Sequence, residues 1–170
     1  MTVIRPARSD DLDRLLDIVR AVTRHMESEG IHQWDHIYPD RATLQTDIEK
    51  RHMQIIEMDG QVAGMLSIND EQSPEYRKVQ WHYPGRALVI HRLTIAPTHR
   101  RQRLATRLME FAERTAEIQG YDTIRLDAFT QNPGATGLYE HLGYEKAGTV
   151  QFRKGIFFCF EKSAGKPGKK

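Results

Sequence analysis

The sequence predicts an α/β fold (α+β) in which helices flank one mixed sheet. Two patterns indicate it. Apolar residues recur with helical or strand spacing along the chain, and residues 86–144 have the order strand, basic turn, amphipathic helix, strand and capped helix. The chain has 170 residues, of which 39% are hydrophobic, enough for one ordinary core. We therefore expect a single domain over residues 1–162 and a disordered tail over 163–170, which is rich in Gly, Pro and Lys.

The first part of the chain predicts a strand and two helices. A short strand at residues 2–5 is stopped by a proline, and Ser9 offers the cap of a first helix that ends at Gly30. A loop with two aromatic residues follows at 31–40. A second, shorter helix is expected at 41–52, because apolar residues recur there with helical spacing.

A hairpin and an irregular segment come next. Residues 53–58 and 62–68 are apolar runs joined around Asp59 and Gly60, a pair that tolerates the positive φ angles of a tight turn. These runs predict two antiparallel strands. Residues 71–85 are polar and contain two prolines, so we expect an excursion at the edge of the sheet.

The second half of the chain predicts a strand-helix-strand-helix unit followed by two strands. The expected elements are a strand at 87–96, a helix at 100–119, a strand at 123–129, a helix at 132–143 and strands at 144–150 and 156–162. Asn132 and Pro133 suit the cap and first position of the second helix. Such a unit brings a helix N-terminus close to the carboxyl ends of parallel strands, where ligands of α/β sheets bind.

Charge and composition argue against several classes of function. The chain has 25 Lys and Arg residues against 23 Asp and Glu residues, a formal charge of +2 that is too balanced for a dedicated nucleic-acid binder. One cysteine cannot form an internal disulfide, the N-terminus lacks the apolar stretch of a signal peptide, and no run is long enough to span a bilayer. We therefore expect a cytoplasmic protein without a nucleic-acid or membrane partner.

Two motifs carry the functional signal. Residues 93–105 read LTIAPTHRRQRLA, and residues 132–144 read NPGATGLYEHLGY. Together with the order of elements, they resemble the GCN5-related N-acetyltransferase (GNAT) superfamily, whose motifs are Arg or Gln-x-x-Gly-x-Gly or Ala, and Asn-x-x-Ala-x-x-Leu-Tyr-x-x-x-Gly-Phe or Tyr. The resemblance implies a mostly antiparallel sheet with a parallel strand pair at its splayed centre and about four flanking helices. It also implies transfer of an acetyl group from acetyl-coenzyme A to a primary amine of a small molecule or peptide.

The first motif is expected to bind the pyrophosphate of coenzyme A, because N–H groups at a helix N-terminus attract anions. Arg103 stands where the family has glycine, and Arg101 replaces another frequent glycine. Since arginine can adopt helical backbone angles, we expect the turn to form, with the Arg103 side chain either directed away from the phosphates or in contact with them. The alternative is a solvated basic turn. The resemblance implies the following cofactor-binding residues: Leu93, Thr94, Ile95, Arg100, Arg101, Gln102, Arg103, Leu104, Ala105, Thr106, Asn132 and Tyr139.

The second motif and the strand at 87–96 supply the expected catalytic residues. By the resemblance, Asn132 contacts the pantetheine arm and Tyr139 protonates the departing thiolate. The alternative is that Tyr139 is a core aromatic whose hydroxyl bonds to a backbone carbonyl. His91 occupies the place of a glutamate found in many family members. We expect it to act as general base, since an unperturbed histidine has a pKa near 6.5, although a satisfied core histidine is the alternative.

The amine acceptor is expected near two aromatic segments. Trp34, Asp35 and Tyr38 offer aromatic walls and one carboxylate for a cationic amine, and Trp81 is expected at the adjoining strand ends. Asp127, on the polar face of its strand, is expected either to face the substrate or to form an ion pair with Arg125. The alternative assigns Trp34 to the core and Asp35 to a solvated turn.

Three further features are given a structural or a competing interpretation. His32 and His36 flank Asp35, but no further ligand is implied nearby, so no metal site is expected. Cys159 lies among phenylalanines and is expected to be packed and unreactive. The apolar final strand suggests an edge through which two copies form a homodimer.

A non-catalytic acyl-coenzyme A-binding or regulatory module on the same fold is the alternative to the expected acetyltransferase function.

Overall fold

The computed structural model describes residues 1–165, which contain seven strands and four α-helices. The strands are β1 (Thr2–Pro6), β2 (Met53–Met58), β3 (Gln61–Asn69), β4 (Ala87–Ile95), β5 (Thr123–Phe129), β6 (Glu145–Phe152) and β7 (Gly155–Ser163). The helices are α1 (Leu12–Ser28), α2 (Arg41–Glu49), α3 (Leu104–Ile118) and α4 (Pro133–His141). Short 3₁₀ turns lie at Ser9–Asp11, Pro74–Lys78 and Pro97–His99.

The strands follow the order β1-β2-β3-β4-β5-β7-β6 in one sheet. The pairs β1 with β2, β2 with β3, β5 with β7 and β6 with β7 are antiparallel, whereas β4 and β5 are parallel. This arrangement confirms the predicted mixed fold with its parallel strand pair.

The chain divides into two compact units. The first unit comprises residues 1–68 and 92–109, and the second comprises residues 69–91 and residue 110 onward. The division falls within β3, β4 and α3, so each of these elements contributes residues to both units.

The first unit has an aliphatic core. Its large, fully buried side chains come from the apolar faces of α1, α2 and α3 and from β2 and β3: Leu15, Ile18, Leu44, Met53, Ile55, Ile56, Met65, Leu66, Leu108 and Met109. Gly64 of β3 lets the backbone of β4 approach closely. A Cβ at this position would lie 2.6 Å from both the carbonyl oxygen of Thr94 and Cδ1 of Ile95. Glycine is therefore the residue that the spacing of these strands requires.

The second unit is more aromatic. The rings of Phe129 and Phe157 have centroids 5.0 Å apart, and Phe160 of β7 is fully buried. The parallel ladder pairs Ala87, Leu88 and Val89 with Thr123, Ile124 and Arg125, respectively. Cys159 is also fully buried, which confirms the expectation that it is packed.

Two helix boundaries differ from the prediction because of backbone geometry. The second helix ends at Glu49, and Arg51 just beyond it has φ +61°. The third helix begins at Leu104 and not at Arg100, since Arg101 and Arg103 have φ +62° and +60°. A left-handed residue cannot continue a right-handed helix, so the basic residues form a turn that precedes it.

The last strand is interior, which corrects the basis given for a homodimer. β7 pairs with β5 on one side and with β6 on the other, so its hydrogen-bonding edges are used within the chain. The open edge in this unit belongs to β6.

The C-terminal tail is only partly covered by the structure. Ser163 ends β7, and Ala164 is buried and donates its N–H to the carbonyl of Asp122. The rest of the predicted tail, residues 166–170, lies outside the described residues. Within residues 1–165, no helix has both the length and the apolar character needed to cross a membrane.

Candidate active site

The basic turn before α3 is the structure's candidate anion cradle. A 3₁₀ turn at Pro97–His99 is followed by residues 100–103, whose side chains are exposed. The first helical hydrogen bond of α3 runs from the N–H of Arg107 to the carbonyl of Arg103. The N–H groups of residues 104–106 precede it and have no partner within the helix, so they can bind an anion.

The backbone of this turn corrects one expectation. Arg103 does not adopt helical angles but has φ +60°, and Arg101 has φ +62°. Both therefore have the left-handed conformation that glycine adopts without cost, and that costs other residues about 1–2 kcal/mol each. The glycines of the motif thus match a backbone requirement that this chain meets with arginine.

Arg100, at the start of the turn, lies against α1. Its Nη1 contacts Nε2 of His25 and lies 4.0 Å from Oε1 of Glu29. The Arg100 side chain remains 53% exposed. Arg100 thus ties the turn to the last residues of α1 while keeping a cationic surface toward solvent.

The carboxyl-terminal half of β4 has an unusual backbone. Arg92 has φ +56°, although it lies inside the strand. Thr94 is 4% exposed, and its hydroxyl donates to the carbonyl of Arg92 at 2.8 Å. Leu93 and Ile95 follow the same left-handed residue and are partly exposed.

The Arg92 side chain forms a recessed ion pair. Its Nε and Nη2 donate to the two carboxylate oxygens of Asp47 at 2.7 and 2.8 Å. Its Nη1 donates to the hydroxyl of Tyr38 at 2.8 Å. Asp47 also accepts the buried hydroxyl of Ser67 at 2.7 Å. The three guanidinium nitrogens and the carboxylate therefore all have partners, which such a buried pair requires.

The predicted acceptor residues of the 31–40 loop have structural contacts in the first unit. Trp34 is 7% exposed and belongs to the core. The Asp35 carboxylate accepts the backbone N–H groups of Ile37 and Tyr38 at 3.0 and 3.2 Å, so it stabilises the turn. Tyr38 is 39% exposed and contacts Arg92. A role for Trp34, Asp35 and Tyr38 in acceptor binding stays a prediction.

In the second unit, a tyrosine that the sequence did not single out contacts Asp127. The hydroxyl of Tyr76 donates to Oδ2 of Asp127 at 2.6 Å. Burial raises the pKa of Asp127, and the Tyr76 hydrogen bond opposes that rise. Burial, together with Asp127, also raises the pKa of Tyr76 well above its usual value. The Asp127 residue nevertheless keeps some exposed surface, so its carboxylate is recessed and not fully enclosed.

Arg125 and Trp81 hold the segment that carries Tyr76. The guanidinium of Arg125 lies 4.4 Å from the Trp81 ring centroid and donates to the side chain of Gln72 and the carbonyl of Tyr83. Trp81 in turn donates its ring N–H to the carbonyl of Tyr76 at 3.0 Å. An aromatic residue within the polar stretch 71–85, close to a tryptophan, was the available sequence signal for Tyr76.

Tyr139 lies on α4 and is buried. Its ring packs against Tyr144 and Phe160, with centroids 6.1 and 5.7 Å away. Burial, and secondarily Asp127, raises the pKa of Tyr139, so the phenol is protonated at neutral pH. Within residues 1–165, no hydrogen bond to the Tyr139 hydroxyl is found, and its role as the acid stays a prediction.

Asn132 caps the same helix. Its side-chain oxygen accepts the N–H of Ala135 at 3.2 Å, and Pro133 occupies the first helical turn, as the sequence predicted. Contact of Asn132 with pantetheine stays a prediction.

His91 has a defined hydrogen bond. Oδ1 of Asn69 accepts the backbone N–H of Glu71 at 2.9 Å, which identifies it as the amide oxygen. The same oxygen lies 2.8 Å from Nε2 of His91, so Nε2 carries a proton and donates it. In neutral His91 the nitrogen that can take up a proton is therefore Nδ1.

Comparison with known sequences identifies one family. A sequence model described as "Acetyltransferase (GNAT) family" matches residues 17–144. The chain is 23% identical over 147 residues to the uncharacterized N-acetyltransferase YesJ of Bacillus subtilis. The aligned region covers 84% of this chain and 81% of that protein. It is 28% identical over 123 residues to N-acetyltransferase 8B of Mus musculus, which covers 68% of this chain and 49% of the relative. The chain thus spans about half the length of that mammalian relative.

Solved structures share the fold. An acetyltransferase of the GNAT family from Streptococcus agalactiae superimposes with a TM-score of 0.85 at 22% identity, over 95% of both chains. The PaiA N-acetyltransferase from Thermoplasma acidophilum, solved in complex with coenzyme A, gives a TM-score of 0.75 at 16% identity, over 96% of this chain and 99% of that one.

The left-handed turn predicts the effect of restoring glycine. Arg103→Gly should raise the free energy of unfolding by about 1 kcal/mol, because glycine relieves the cost of positive φ. The melting temperature should rise by roughly 2–4 °C for a chain of this size.

Arg107→Gly is the matched control for that measurement. It removes another exposed arginine, from the first turns of α3 where φ is helical, and should lower stability by about 1 kcal/mol. If both variants lower the melting temperature equally, contacts of the Arg103 side chain outweigh the backbone cost.

Proposed function

The chain belongs to the acetyltransferase (GNAT) family and is an N-acetyltransferase, and we propose that it transfers the acetyl group of acetyl-coenzyme A to a primary amine by direct attack. The observation that carries the proposal is the left-handed turn at Arg101 and Arg103 that opens α3. The first N–H groups of α3 follow this turn and have no partner within the helix, and exposed arginines lie beside them in the chain. Such N–H groups and arginines bind the anionic oxygens of a pyrophosphate. The complex of the related fold from Thermoplasma acidophilum with coenzyme A agrees with this choice of donor.

The proposed donor site lies in the first unit. Residues 102–106 would bind the pyrophosphate, and the backbone of β4 at Leu93–Ile95 would bind the acetyl-bearing arm and polarise the thioester carbonyl through an N–H group. Asn132 of the second unit is proposed to contact pantetheine. The arginines contribute charge, and the backbone contributes directed hydrogen bonds.

The proposed chemistry needs three proton transfers. His91 takes a proton from the acceptor ammonium, directly or through water. The free amine forms a C–N bond to the thioester carbonyl carbon, and the nitrogen of the tetrahedral intermediate then loses its second proton to solvent. The C–S bond breaks as the intermediate collapses to the amide. Tyr139 donates its phenolic proton to the departing thiolate. A protonated phenol without a competing hydrogen bond in the described part of the chain suits that step.

The proposed acceptor site includes Asp127. Its recessed carboxylate, which accepts the hydrogen bond of the buried Tyr76, would attract an ammonium group, with the partly exposed Trp81 as the aromatic surface next to Tyr76. In the first unit, Trp34, Asp35 and Tyr38 of the 31–40 loop stay proposed acceptor contacts.

Donor binding and turnover test the proposal directly. Acetyl-coenzyme A at 100 times its Kd should stabilise the protein by about 2.7 kcal/mol, which corresponds to a rise of roughly 5–10 °C in melting temperature. S-acetylpantetheine, which lacks the pyrophosphate, should give a much smaller shift at the same concentration. A panel of amines should then release coenzyme A thiol at a rate that depends on the amine. Absence of donor binding at millimolar concentration would refute the proposal, and binding without turnover on any amine would instead favour the non-catalytic acyl-coenzyme A module.

Tyr139→Phe tests the proposed acid. The change keeps the ring and its contacts with Tyr144 and Phe160 but removes the proton donor. We expect kcat to fall roughly 10²-fold while acetyl-coenzyme A affinity and melting temperature stay nearly unchanged. Tyr144→Phe is the control, because its hydroxyl contacts Glu113 and it should leave kcat at the parent value. Parental turnover of Tyr139→Phe would identify Tyr139 as a core aromatic only.

The pH dependence of kcat/KM separates His91 from Asp127 as the base. With His91 as base, the acidic limb of the profile should disappear in His91→Gln and persist in Asp127→Asn. With Asp127 as base, Tyr76→Phe would shift that limb to higher pH. The shift has this sign because the lost hydrogen bond favours the ionised carboxylate, so its removal raises the pKa of Asp127 further.

A further inference from the structure

Arg92 combines a strained backbone with a fully used side chain. Among the non-glycine residues of positive φ in the described part of the chain, it alone lies inside a strand. The others occupy turns, where such angles are common. In a strand, one left-handed residue turns the peptide planes that follow it and interrupts the alternation of N–H and C=O groups, as in a β-bulge. The peptide groups that this reorients lie immediately after Arg92, at Leu93 and Thr94.

A strained conformation of this kind persists only when its surroundings hold it in place. At Arg92 the surroundings are identifiable. The bidentate ion pair attaches the side chain to Asp47 of α2, and Asp47 is anchored in turn by the buried hydroxyl of Ser67 in β3. The carbonyl of Arg92 is held by Thr94. Contacts with α2, supported by β3, therefore hold the side chain of Arg92, and a contact within β4 holds its backbone.

Arg92 also contacts the 31–40 loop. Its Nη1 donates to the hydroxyl of Tyr38 at 2.8 Å, and the backbone N–H of Tyr38 donates to Asp35. The residue that bends β4 is therefore connected to the loop in which the acceptor residues are predicted. A shift of Tyr38 on acceptor binding acts on the same guanidinium that holds the bend.

We propose that Arg92 is a positioning residue for acyl transfer. Its ion pair with Asp47 holds the bend of β4 so that the backbone N–H groups after it are directed at the thioester carbonyl. Its contact with Tyr38 links this alignment to the acceptor loop. The inference rests on the proposed function, since it assigns to β4 the polarisation of the donor carbonyl. Arg92 itself need not touch either substrate.

Arg92→Lys tests the proposal. Lysine keeps the positive charge but cannot form the bidentate pair, so the bend loses its fixed orientation. We expect kcat to fall about 10- to 100-fold, the size of effect that a misplacement of about 1 Å produces. The Kd of acetyl-coenzyme A, measured by calorimetry, should stay within about twofold of the parent, because the anion cradle at residues 100–106 is untouched.

Arg5→Lys is the matched control. Arg5 of β1 also forms a bidentate pair with a carboxylate, at 2.9 and 3.0 Å from Asp11, and it is 20% exposed. It lies in the same unit but has no positive φ. Both variants should lose some thermal stability, and only Arg92→Lys should lose kcat when both are assayed well below their melting temperatures. Equal kcat in Arg92→Lys and parent, or an equal fall in both variants, overturns the proposal.

Arg92→Gly gives a second measurement. Glycine adopts positive φ without strain but has no side chain to tether β4 to Asp47. We expect its kcat to fall about 10- to 100-fold with a donor Kd within about twofold of the parent. If Arg92→Lys fails to fold, this variant decides the question, since parental kcat in Arg92→Gly contradicts the proposal.

Tyr38→Phe examines the link to the loop. It removes one hydrogen bond at a partly exposed ring and should lower kcat about threefold without a change in donor Kd. Parental kcat in this variant contradicts the link. Failure of the proposed function differs from failure of this inference. The first would appear as absent donor binding or turnover in the parent protein, and the second only in the variants.

Discussion

The candidate donor site depends on left-handed backbone at three arginines. Arg92, Arg101 and Arg103 all have φ close to +60°, and each such angle costs a side-chain-bearing residue about 1–2 kcal/mol. The cost is met in two ways. At Arg92 a recessed ion pair with Asp47 holds the residue. At Arg101 and Arg103 the side chains are exposed, so the packed elements on either side of the turn must hold its shape. Arginine in place of the motif's glycines adds positive charge to this turn. The turn still requires positive φ at both positions.

The second unit contributes groups whose protonation depends on burial. Asp127 and Tyr76 share one short hydrogen bond, and the low polarity around them disfavours the charged form of each. Tyr139 is protonated for the same reason. Arg125, stacked on Trp81, keeps the Tyr76 segment in place. A carboxylate that retains some exposure and a phenol that stays neutral are the kinds of group that amine acylation requires.

The fold depends on the core and the order of elements, whereas the proposed acceptor chemistry depends on loops. Solved structures at 16–22% identity retain the same arrangement of elements, which shows that the core tolerates extensive substitution. The residues that the family model matches, 17–144, include the turn before α3 and the helix that begins at Pro133. In the proposed function, acceptor selection instead depends on the loops 31–40 and 70–86, since binding residues of many folds lie on loops held by a common scaffold.

The order of helices and strands, the parallel pair β4 and β5 and the cap at Asn132 were predictable from the sequence, because local spacing, capping and turn residues specify them. The two motifs gave the resemblance to the family. The conformation of Arg92, Arg101 and Arg103 instead depends on tertiary contacts, because intrinsic preference favours glycine at positive φ and surrounding contacts must override it. The tertiary structure also decided which side chains meet. Arg92 and Asp47 are 45 residues apart, and Tyr76 and Asp127 are 51 apart, so no local pattern relates them. Burial, which sets the pKa of Asp127 and Tyr139, likewise arises only when distant strands and helices enclose these groups.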